Sequence, residues 1–232
     1  MTFVVPPHPA VTIPVANGDG LFPVRRIYCV GRNYAAHVRE MGMDPSREAP
    51  FFFSKPTDAI VVAPGGAGAQ ISYPPATGEF HFEIELVAAI GHAGRDIPVG
   101  QANSHIWGYG VGIDMTRRDL QIAARDRGRP WEPGKGFDQS APVSLLHPAS
   151  AVGHPVDGEI WLQVDGQDRQ RSNLKNLIWS VPEIIANLST LFELRPGDLV
   201  FTGTPEGVGP VRSGDVMRGG VAGLTDVEVS VA

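Results

Sequence analysis

The chain has 232 residues, enough for one large domain or two small ones and for a substantial buried core. Hydrophobic residues make up 42% and charged residues 19%, a balance typical of a globular protein and not of a disordered one. The formal net charge of -6 and the lack of a basic cluster argue against a nucleic-acid surface. A small-molecule enzyme fits this balance better.

The cysteine content and the N-terminus indicate the compartment. Cys29 is the only cysteine, so an intrachain disulfide is excluded and nothing points to an oxidising compartment. Prolines interrupt the N-terminal stretch where a signal peptide needs a continuous apolar core, and no apolar run approaches membrane-spanning length. We therefore expect a cytoplasmic protein without a membrane partner.

Glycine and proline are frequent and spread along the chain, with 28 and 21 residues. This distribution predicts short strands, tight turns and a β-rich α+β fold with a few short helices. No composition break divides the chain further. We expect an N-terminal arm of short strands over residues 1–24 and a single domain over residues 25–232.

The first part of that domain predicts strands around one short helix. The segment "RIYCVG" predicts a strand in which Cys29 is a small buried residue. Asn33 is expected to cap a helix from about Tyr34 to Met41. The segment "FFFSKPTDAIVV" predicts two strand pieces, interrupted at Lys55 and the proline after it.

Residues 80–91, "FHFEIELVAAIG", predict one strand with apolar residues at every second position. The opposite face begins polar, with Glu83 and Glu85, and becomes apolar at Val87. A strand that is apolar on both faces is expected to be buried there. The two glutamates then lie at the entrance to a buried strand, although a solvated outer face is the commoner explanation of such a pair.

The second half of the chain predicts a strand that ends at Ile113 and a helix from about Thr116 to Arg127, with Asp114 at their junction. Lys135 is expected in a loop. Asp165 and the glycine after it predict a tight hairpin turn. Ser180 and Glu183 predict a capping box for a helix whose apolar stripe contains Ile184, Ile185, Leu188, Leu191 and Phe192.

Three carboxylates, Glu83, Glu85 and Asp114, follow from these placements as a candidate metal site. Oxygen ligands without a nearby cysteine suit a hard cation, Mg²⁺ or Mn²⁺, better than zinc. The structural alternative is that Asp114 only caps the following helix.

His37 and Glu40 lie three residues apart on the first helix and share a face. A carboxylate beside an imidazole raises its basicity, so this pair is a candidate general base for water. Exposed surface residues are the alternative explanation. The sequence also offers basic and hydroxyl groups that could anchor a substrate carboxylate: Lys55, Arg118, Gln121, Lys135 and Thr204.

Six ordered motifs resemble the fumarylacetoacetate hydrolase family: "YCVGRNYAAHVREMG", "FFFSKPTDAIV", "FHFEIELVAAIG", "GYGVGIDMTRRDLQ", "GKGFDQSAPV" and "FTGTPEGVGPV". They cover roughly residues 25 to 225. The resemblance implies a mixed β-sandwich roll, usually assembled as a homodimer. It implies metal ligands at Glu83, Glu85 and Asp114 and a catalytic dyad of His37 and Glu40. It also implies a catalytic lysine at Lys135, and the positions implied around the substrate are Arg32, Arg118, Gln121 and Thr204.

The resemblance also implies the chemistry, which is metal-dependent cleavage of a carbon–carbon bond in a 2,4-diketo acid. Within the family, the motifs look most like those of proteins that split fumarylpyruvate into fumarate and pyruvate in gentisate breakdown. Oxaloacetate decarboxylation and broad acylpyruvate hydrolysis are alternatives, because the scaffold does not fix the reaction. A non-catalytic small-molecule binding protein is a further alternative. The segment from His37 to Pro50 is expected to close over bound substrate as a lid.

Overall fold

The computed structural model describes residues 3–42 and 48–232. Residues 43–47, which belong to the expected lid, lie outside the described residues. Within these ranges the chain forms short strands and few helices, so the β-rich prediction is confirmed. The strands are β1 (Thr12–Pro14), β2 (Leu21–Pro23), β3 (Arg26–Gly31), β4 (Phe51–Lys55), β5 (Ile60–Val62), β6 (Ala69–Ile71), β7 (Phe80–Phe82), β8 (Ile84–Ile90), β9 (Ile106–Ile113), β10 (Thr116–Arg117), β11 (Ala141–Val143), β12 (His147–Pro148), β13 (Glu159–Val164), β14 (Gln167–Asn173), β15 (Asp198–Phe201), β16 (Gly209–Pro210), β17 (Val216–Val221) and β18 (Val227–Val231).

The α-helices are short and are interspersed among the strands along the chain. They are α1 (Ala35–Glu40), α2 (Arg118–Asp126), α3 (Glu132–Lys135), α4 (Ala149–Val152) and α5 (Val181–Leu191). No helix among the described residues has both the length and the apolar character needed to cross a bilayer.

The two larger sheets contain both parallel and antiparallel strand pairs. The largest has the order β4-β3-β15-β8-β9-β11-β5, with β12 added beside β9. Its β3–β15 and β11–β5 pairs are parallel and the others are antiparallel. A second sheet has the order β14-β13-β17-β18-β6, and a third has the order β10-β7-β16.

Strand β8 lies between two hydrophobic cores. Its Leu86 and Ala88 side chains belong to the larger core, which includes residues of β13 and α5. Val87 and Ala89 belong to the smaller core on the other face. Both faces of β8 are therefore buried after Glu85, as the apolar alternation predicts.

The single strand predicted over residues 80–91 is wrong, because it is divided at Glu83. Strand β7 pairs with β10 and β16, whereas β8 pairs with β15 and β9. The chain thus passes from one sheet to another at this glutamate. The alternation of apolar residues continues across the break because Phe82 and Ile84 both face the larger core.

The first helix begins one residue later than predicted, and Asn33 does not cap it. The Asn33 Nδ2 group donates to the backbone oxygens of Trp179 (2.9 Å) and Thr202 (2.7 Å). Its Oδ1 accepts from the backbone N–H of Trp179 at 2.7 Å. All polar atoms of the Asn33 side chain are therefore hydrogen-bonded to distant segments of the chain. Tyr34 occupies the N-cap position and makes no side-chain hydrogen bond there.

The predicted helix from Thr116 begins instead at Arg118. Thr116 and Arg117 form strand β10, because they pair with β7. Asp114 therefore does not cap this helix, whose N-cap is Arg117. Lys135 ends the one-turn helix α3, where a loop was expected.

The hairpin and the helix near residue 180 are confirmed. Asp165 and Gly166 both have positive φ, 50° and 74°, and connect β13 to β14. In α5 the Ser180 N–H donates to Glu183 Oε2 at 2.9 Å. Leu191 and Phe192 are exceptions to the predicted stripe. Leu191 is 60% exposed, and Phe192 is 37% exposed and follows the helix in an extended conformation. Ser189 faces the interior instead, where its Oγ accepts from a backbone N–H at 2.8 Å.

Candidate active site

Three buried carboxylates meet where two strands end. Glu83 lies between β7 and β8, Glu85 is the second residue of β8, and Asp114 follows β9. Because β8 and β9 pair antiparallel, the backbone N–H of Asp114 donates to the Glu83 carbonyl at 2.8 Å. One ligand atom from each carboxylate lies within 4.8 Å of those of the other two. All three side chains are buried, at 6%, 1% and 0% exposure.

Basic side chains surround two of these carboxylates. Lys135 Nζ donates to Glu83 Oε2 at 2.8 Å and to Asp114 Oδ2 at 2.7 Å. Arg118 donates to Glu83 Oε1. Lys55 Nζ lies 2.7 Å from Asp114 Oδ1, in a direction that gives an ion pair without a hydrogen bond. Buried charges require such partners, since their desolvation is otherwise uncompensated.

The carboxylates differ in their pKa values because their partners differ. Burial alone raises the pKa of Glu83, but Lys135 and Arg118 outweigh burial and lower it well below the ordinary value. Burial, together with neighbouring Asp114 and Glu83, raises the pKa of Glu85 well above the ordinary value. Burial lowers the pKa of Lys135, but Asp114 and Glu83 outweigh it and raise that pKa.

The set of donors fits a divalent cation. Among the described residues Glu85 has no ion pair, and its Oε2 accepts only the backbone N–H of Gly203, at 2.7 Å. A cation beside Glu85 would offset the burial and the neighbouring negative charges that raise its pKa. The six carboxylate oxygens have further lone pairs, so hydrogen bonds from Lys135 and Arg118 do not prevent ligation. Oxygen donors alone suit Mg²⁺ or Mn²⁺. His81 lies outside the cluster and its Nε2 pairs with Glu79 at 3.1 Å.

Lys55, a predicted substrate contact, lies behind the carboxylate cluster in the structure. The side chain of Lys55 is fully buried behind Asp114 and does not line the cavity. Its ammonium donates to the backbone oxygens of Met115, at 3.1 Å, and of Lys135. These partners hold the Lys55 ammonium beside Asp114.

The predicted dyad is formed within helix α1. His37 Nδ1 lies 3.3 Å from Glu40 Oε2. The Glu40 carboxylate also accepts the backbone N–H of Gly207 at 3.0 and 3.1 Å, which fixes it against the loop after β15. His37 is buried and Glu40 is exposed, so the imidazole faces the interior. Its Nε2 is the nitrogen left available to a reactant.

One cavity joins most of these groups. Eight of the eleven predicted site residues line it. Of the other three, Lys55 and Asp114 are buried behind the lining and Glu40 is exposed next to His37. The eight are Arg32, His37, Glu83, Glu85, Arg118, Gln121, Lys135 and Thr204.

Sequence reasoning missed several residues of the cavity wall, above all Arg125 and Trp131. Arg125 follows Arg118 and Gln121 by seven and four positions, so all three lie on one face of α2. This spacing could have indicated Arg125. Trp131 had no comparable signal because it lies in an irregular segment, where its ring contacts Phe53 at a centroid distance of 5.7 Å.

The chain is similar to known proteins in both sequence and structure. Residues 26–232 match the family model for fumarylacetoacetate (FAA) hydrolase C-terminal. A fumarylpyruvate hydrolase of Ralstonia sp is 47% identical over 189 residues, covering 82% of this chain and 96% of the relative. A mitochondrial oxaloacetate tautomerase of Oryza sativa subsp. japonica is 42% identical over 206 residues, covering 89% and 90%. The crystal structure of fumarylpyruvate hydrolase from Pseudomonas aeruginosa in complex with Mn²⁺ and pyruvate is 59% identical, with a TM-score of 0.98 and coverage of 100% and 99%.

Proposed function

The chain belongs to the fumarylacetoacetate hydrolase family, and from this premise we propose that it is a fumarylpyruvate hydrolase, which splits its substrate into fumarate and pyruvate. The observation that carries the proposal is that His37, Lys135, Glu83 and Glu85 line one cavity, while the buried carboxylate of Asp114 completes the acidic cluster behind it. The identities of 47% and 59% to proteins with this activity support it.

In this proposal Glu83, Glu85 and Asp114 hold a divalent cation, Mn²⁺ or Mg²⁺. Its support is the unpaired Glu85 carboxylate and the Mn²⁺ in the Pseudomonas aeruginosa structure. When bound, such a cation polarises the oxygens at the 2-oxo acid end of the substrate and stabilises the negative charge that develops there.

His37 acts as the general base. Its Nδ1–H donates to Glu40, which leaves the Nε2 lone pair to take a proton from water. The oxygen of that water bonds to the carbonyl carbon of the fumaryl half, and the carbon–carbon bond to the pyruvate half breaks. The electron pair of that bond stays with the pyruvate carbon, which then takes up a proton.

Lys135 lies at the boundary between the carboxylates and the cavity. Two of its three N–H donors are used by Glu83 and Asp114. The third is available to the substrate oxygen on which negative charge grows. Because the group is buried, this hydrogen bond acts with little screening by water.

The remaining arginines of the cavity favour a substrate with two carboxylates. Arg118 is occupied by Glu83 and donates to Gln121 Oε1 at 3.2 Å. Arg32 has no ion pair in the part of the chain that the structure describes and lies 5.4 Å from the ring centroid of Phe51. Among the residues that the structure describes, Arg125 pairs only with the exposed Asp126, at 2.9 Å. Two guanidinium groups are thus available to a second carboxylate, which fumarylpyruvate has and acetylpyruvate lacks.

Oxaloacetate is a second candidate substrate, because the Oryza sativa relative is an oxaloacetate tautomerase. Oxaloacetate also has two carboxylates, but it is shorter than fumarylpyruvate. Its decarboxylation needs no activated water, so the His37–Glu40 pair favours hydrolysis over decarboxylation. Tautomerisation also uses a base, so the comparison of substrates has to separate it from hydrolysis.

A substrate panel tests the proposal. Fumarylpyruvate, acetylpyruvate and oxaloacetate are compared by kcat/KM at one Mn²⁺ concentration, and fumarylpyruvate is expected to be the best. Arg125→Leu should lower kcat/KM about tenfold for fumarylpyruvate and little for acetylpyruvate, the effect of one charge-assisted hydrogen bond. Arg127→Leu, at an exposed site outside the cavity wall, is the control. A best rate with oxaloacetate would replace the proposal.

The setting of the enzyme is part of the same proposal. We infer a cytoplasmic homodimer whose catalytic domain spans residues 25–232, supported by the family match over residues 26–232 and by the dimeric assembly that the family resemblance implies. Sedimentation analysis at micromolar concentration is expected to give twice the mass of 24.8 kDa. A single species of monomer mass would contradict the dimer.

A further inference from the structure

Gln170 is a buried amide on strand β14 that none of the steps above uses. It is 1% exposed. Its Oε1 accepts the backbone N–H of Ile84 at 2.9 Å. Its Nε2 donates to Thr204 Oγ1 at 2.8 Å and to the Pro205 carbonyl at 2.8 Å.

These partners fix the orientation of the amide. The backbone N–H of Ile84 is only a donor, so it must face the amide oxygen. The Pro205 carbonyl is only an acceptor, so it must face the amide nitrogen. The amide of Gln170 cannot be reversed without leaving both partners unsatisfied.

The fixed amide also fixes the direction of the Thr204 hydroxyl. An amide N–H₂ group donates hydrogen bonds and does not accept them, so Thr204 Oγ1 accepts a hydrogen bond from Gln170. The proton of the Thr204 hydroxyl itself cannot point back to Gln170. Since Thr204 lines the cavity, its O–H is free to donate to an acceptor there.

Gln170 also connects this hydroxyl to the carboxylate cluster. Ile84 lies between Glu83 and Glu85, at the point where the chain passes from β7 to β8. Thr204 lies on the loop after β15, next to Gly203, which donates to Glu85. One side chain from an edge strand therefore holds two segments of the cavity wall in register.

We propose that Gln170 is a positioning residue that makes the Thr204 hydroxyl a hydrogen-bond donor to a substrate oxygen. The inference rests on the proposed function, since it requires an anionic or carbonyl oxygen in the cavity. A carboxylate of the 2-oxo acid is such an acceptor.

Gln170→Glu reverses the polarity with little change of shape. A carboxylate still accepts from Ile84, but it offers Thr204 only an acceptor, so the Thr204 proton turns towards residue 170. We expect kcat/KM for fumarylpyruvate to fall about 10- to 100-fold, the effect of one hydrogen bond to a charged group. Gln167→Glu, an exposed change on the same strand, is the matched control and is expected to have no effect.

A double-mutant cycle with Thr204→Val tests whether Gln170 acts through Thr204. Thr204→Val should cost about as much as Gln170→Glu, and the two together should cost less than twofold more than either alone. A double variant whose loss of kcat/KM equals the product of the two single losses would overturn the inference. If Gln170→Glu does not fold, Gln170→Met takes its place in the cycle, because it also removes the donor.

The kinetic signature separates positioning of the hydroxyl from general disruption. Loss of a contact with bound substrate should raise KM and leave kcat and the Mn²⁺ affinity within about twofold of the wild-type values. A displaced Glu83–Glu85 segment would instead lower both kcat and the Mn²⁺ affinity. If the wild-type protein cleaves no 2,4-diketo acid, the proposed function is overturned and the inference falls with it. If the wild type is active but Gln170→Glu weakens Mn²⁺ binding at unchanged KM, only the inference is overturned.

Discussion

At the scale of single residues, the site combines three carboxylates with three basic side chains, but the pairing is unequal. Glu83 and Asp114 contact Lys135, Arg118 or Lys55. Within the described part of the chain, the Glu85 carboxylate accepts only the backbone N–H of Gly203. The residue that is least stabilised in the metal-free protein is therefore the one most in need of a cation. This inequality makes Glu85 the most informative position for substitution.

Glu85→Gln is expected to stabilise the metal-free protein and to weaken Mn²⁺ binding. The raised pKa means that the folded state binds a proton at Glu85 more tightly than the unfolded state. The stability from this group is complete below the unfolded pKa of about 4.3 and is lost as pH rises through the folded pKa. The neutral amide of the variant does not ionise, so the folded state keeps this stability at neutral pH, and the amide oxygen can still accept the hydrogen bond from the Gly203 N–H.

Thermal unfolding of metal-free wild type and Glu85→Gln at neutral pH measures this difference. The variant should unfold a few degrees higher, since a chain of this size shifts by about 2–4 °C per kcal/mol. The gap should shrink as the pH falls towards 4. A variant that unfolds at a lower temperature at neutral pH would contradict the electrostatic account of Glu85.

At the scale of elements, His37, the proposed general base, lies on a helix too short to be stable alone. Helix α1 has six residues. The buried side chains of Tyr34 and Val38 and the hydrogen bonds of Asn33 hold it to the fold. The backbone N–H of Gly207 fixes Glu40 at its end. The orientation of His37 is thus set by tertiary contacts.

His37→Gln should lower kcat for fumarylpyruvate by about 10²- to 10⁴-fold, because the base that takes the proton from water is lost. Mn²⁺ affinity, measured by titration calorimetry, should not change, because His37 is not part of the carboxylate cluster. His8→Gln, at an exposed position, serves as the control. Hydrolysis at the wild-type rate would remove the dyad from the mechanism.

The elements show how far periodicity can predict structure. Alternating residues correctly predict that β8 is buried on both faces, because the apolar residues of both faces are adjacent in the sequence and can be recognised there. They cannot predict the break at Glu83, because Phe82 and Ile84 face the same core on both sides of it. The role of Asn33 was also out of reach, since its partners Trp179 and Thr202 are distant in sequence.

At the scale of the whole molecule, the cavity is assembled from segments that are far apart in the chain. The described residues that line it extend from Val30 to Thr204. Motif resemblance placed the carboxylates, His37 and Arg118 because each lies in a recognisable local pattern. Gln170 gave no such signal, because its importance comes only from the contacts that folding creates.

Cation binding should stabilise the entire fold, because the cluster joins β8, β9 and α3. At a Mn²⁺ concentration 100 times its Kd, binding adds about 2.7 kcal/mol to the free energy of unfolding. That increment should raise Tm by about 5–11 °C. Glu85→Gln should lose most of this increase at the same Mn²⁺ concentration, and an equal increase in both proteins would place the cation elsewhere.

The central claim is that these carboxylates hold a cation on which carbon–carbon cleavage depends. Its most direct test is to strip the purified protein with a chelator, add fumarylpyruvate, and measure fumarate and pyruvate before and after Mn²⁺ is restored. The account predicts no product above background without metal, and equal amounts of both products once Mn²⁺ is added. Full turnover while the chelator is still in excess would contradict it.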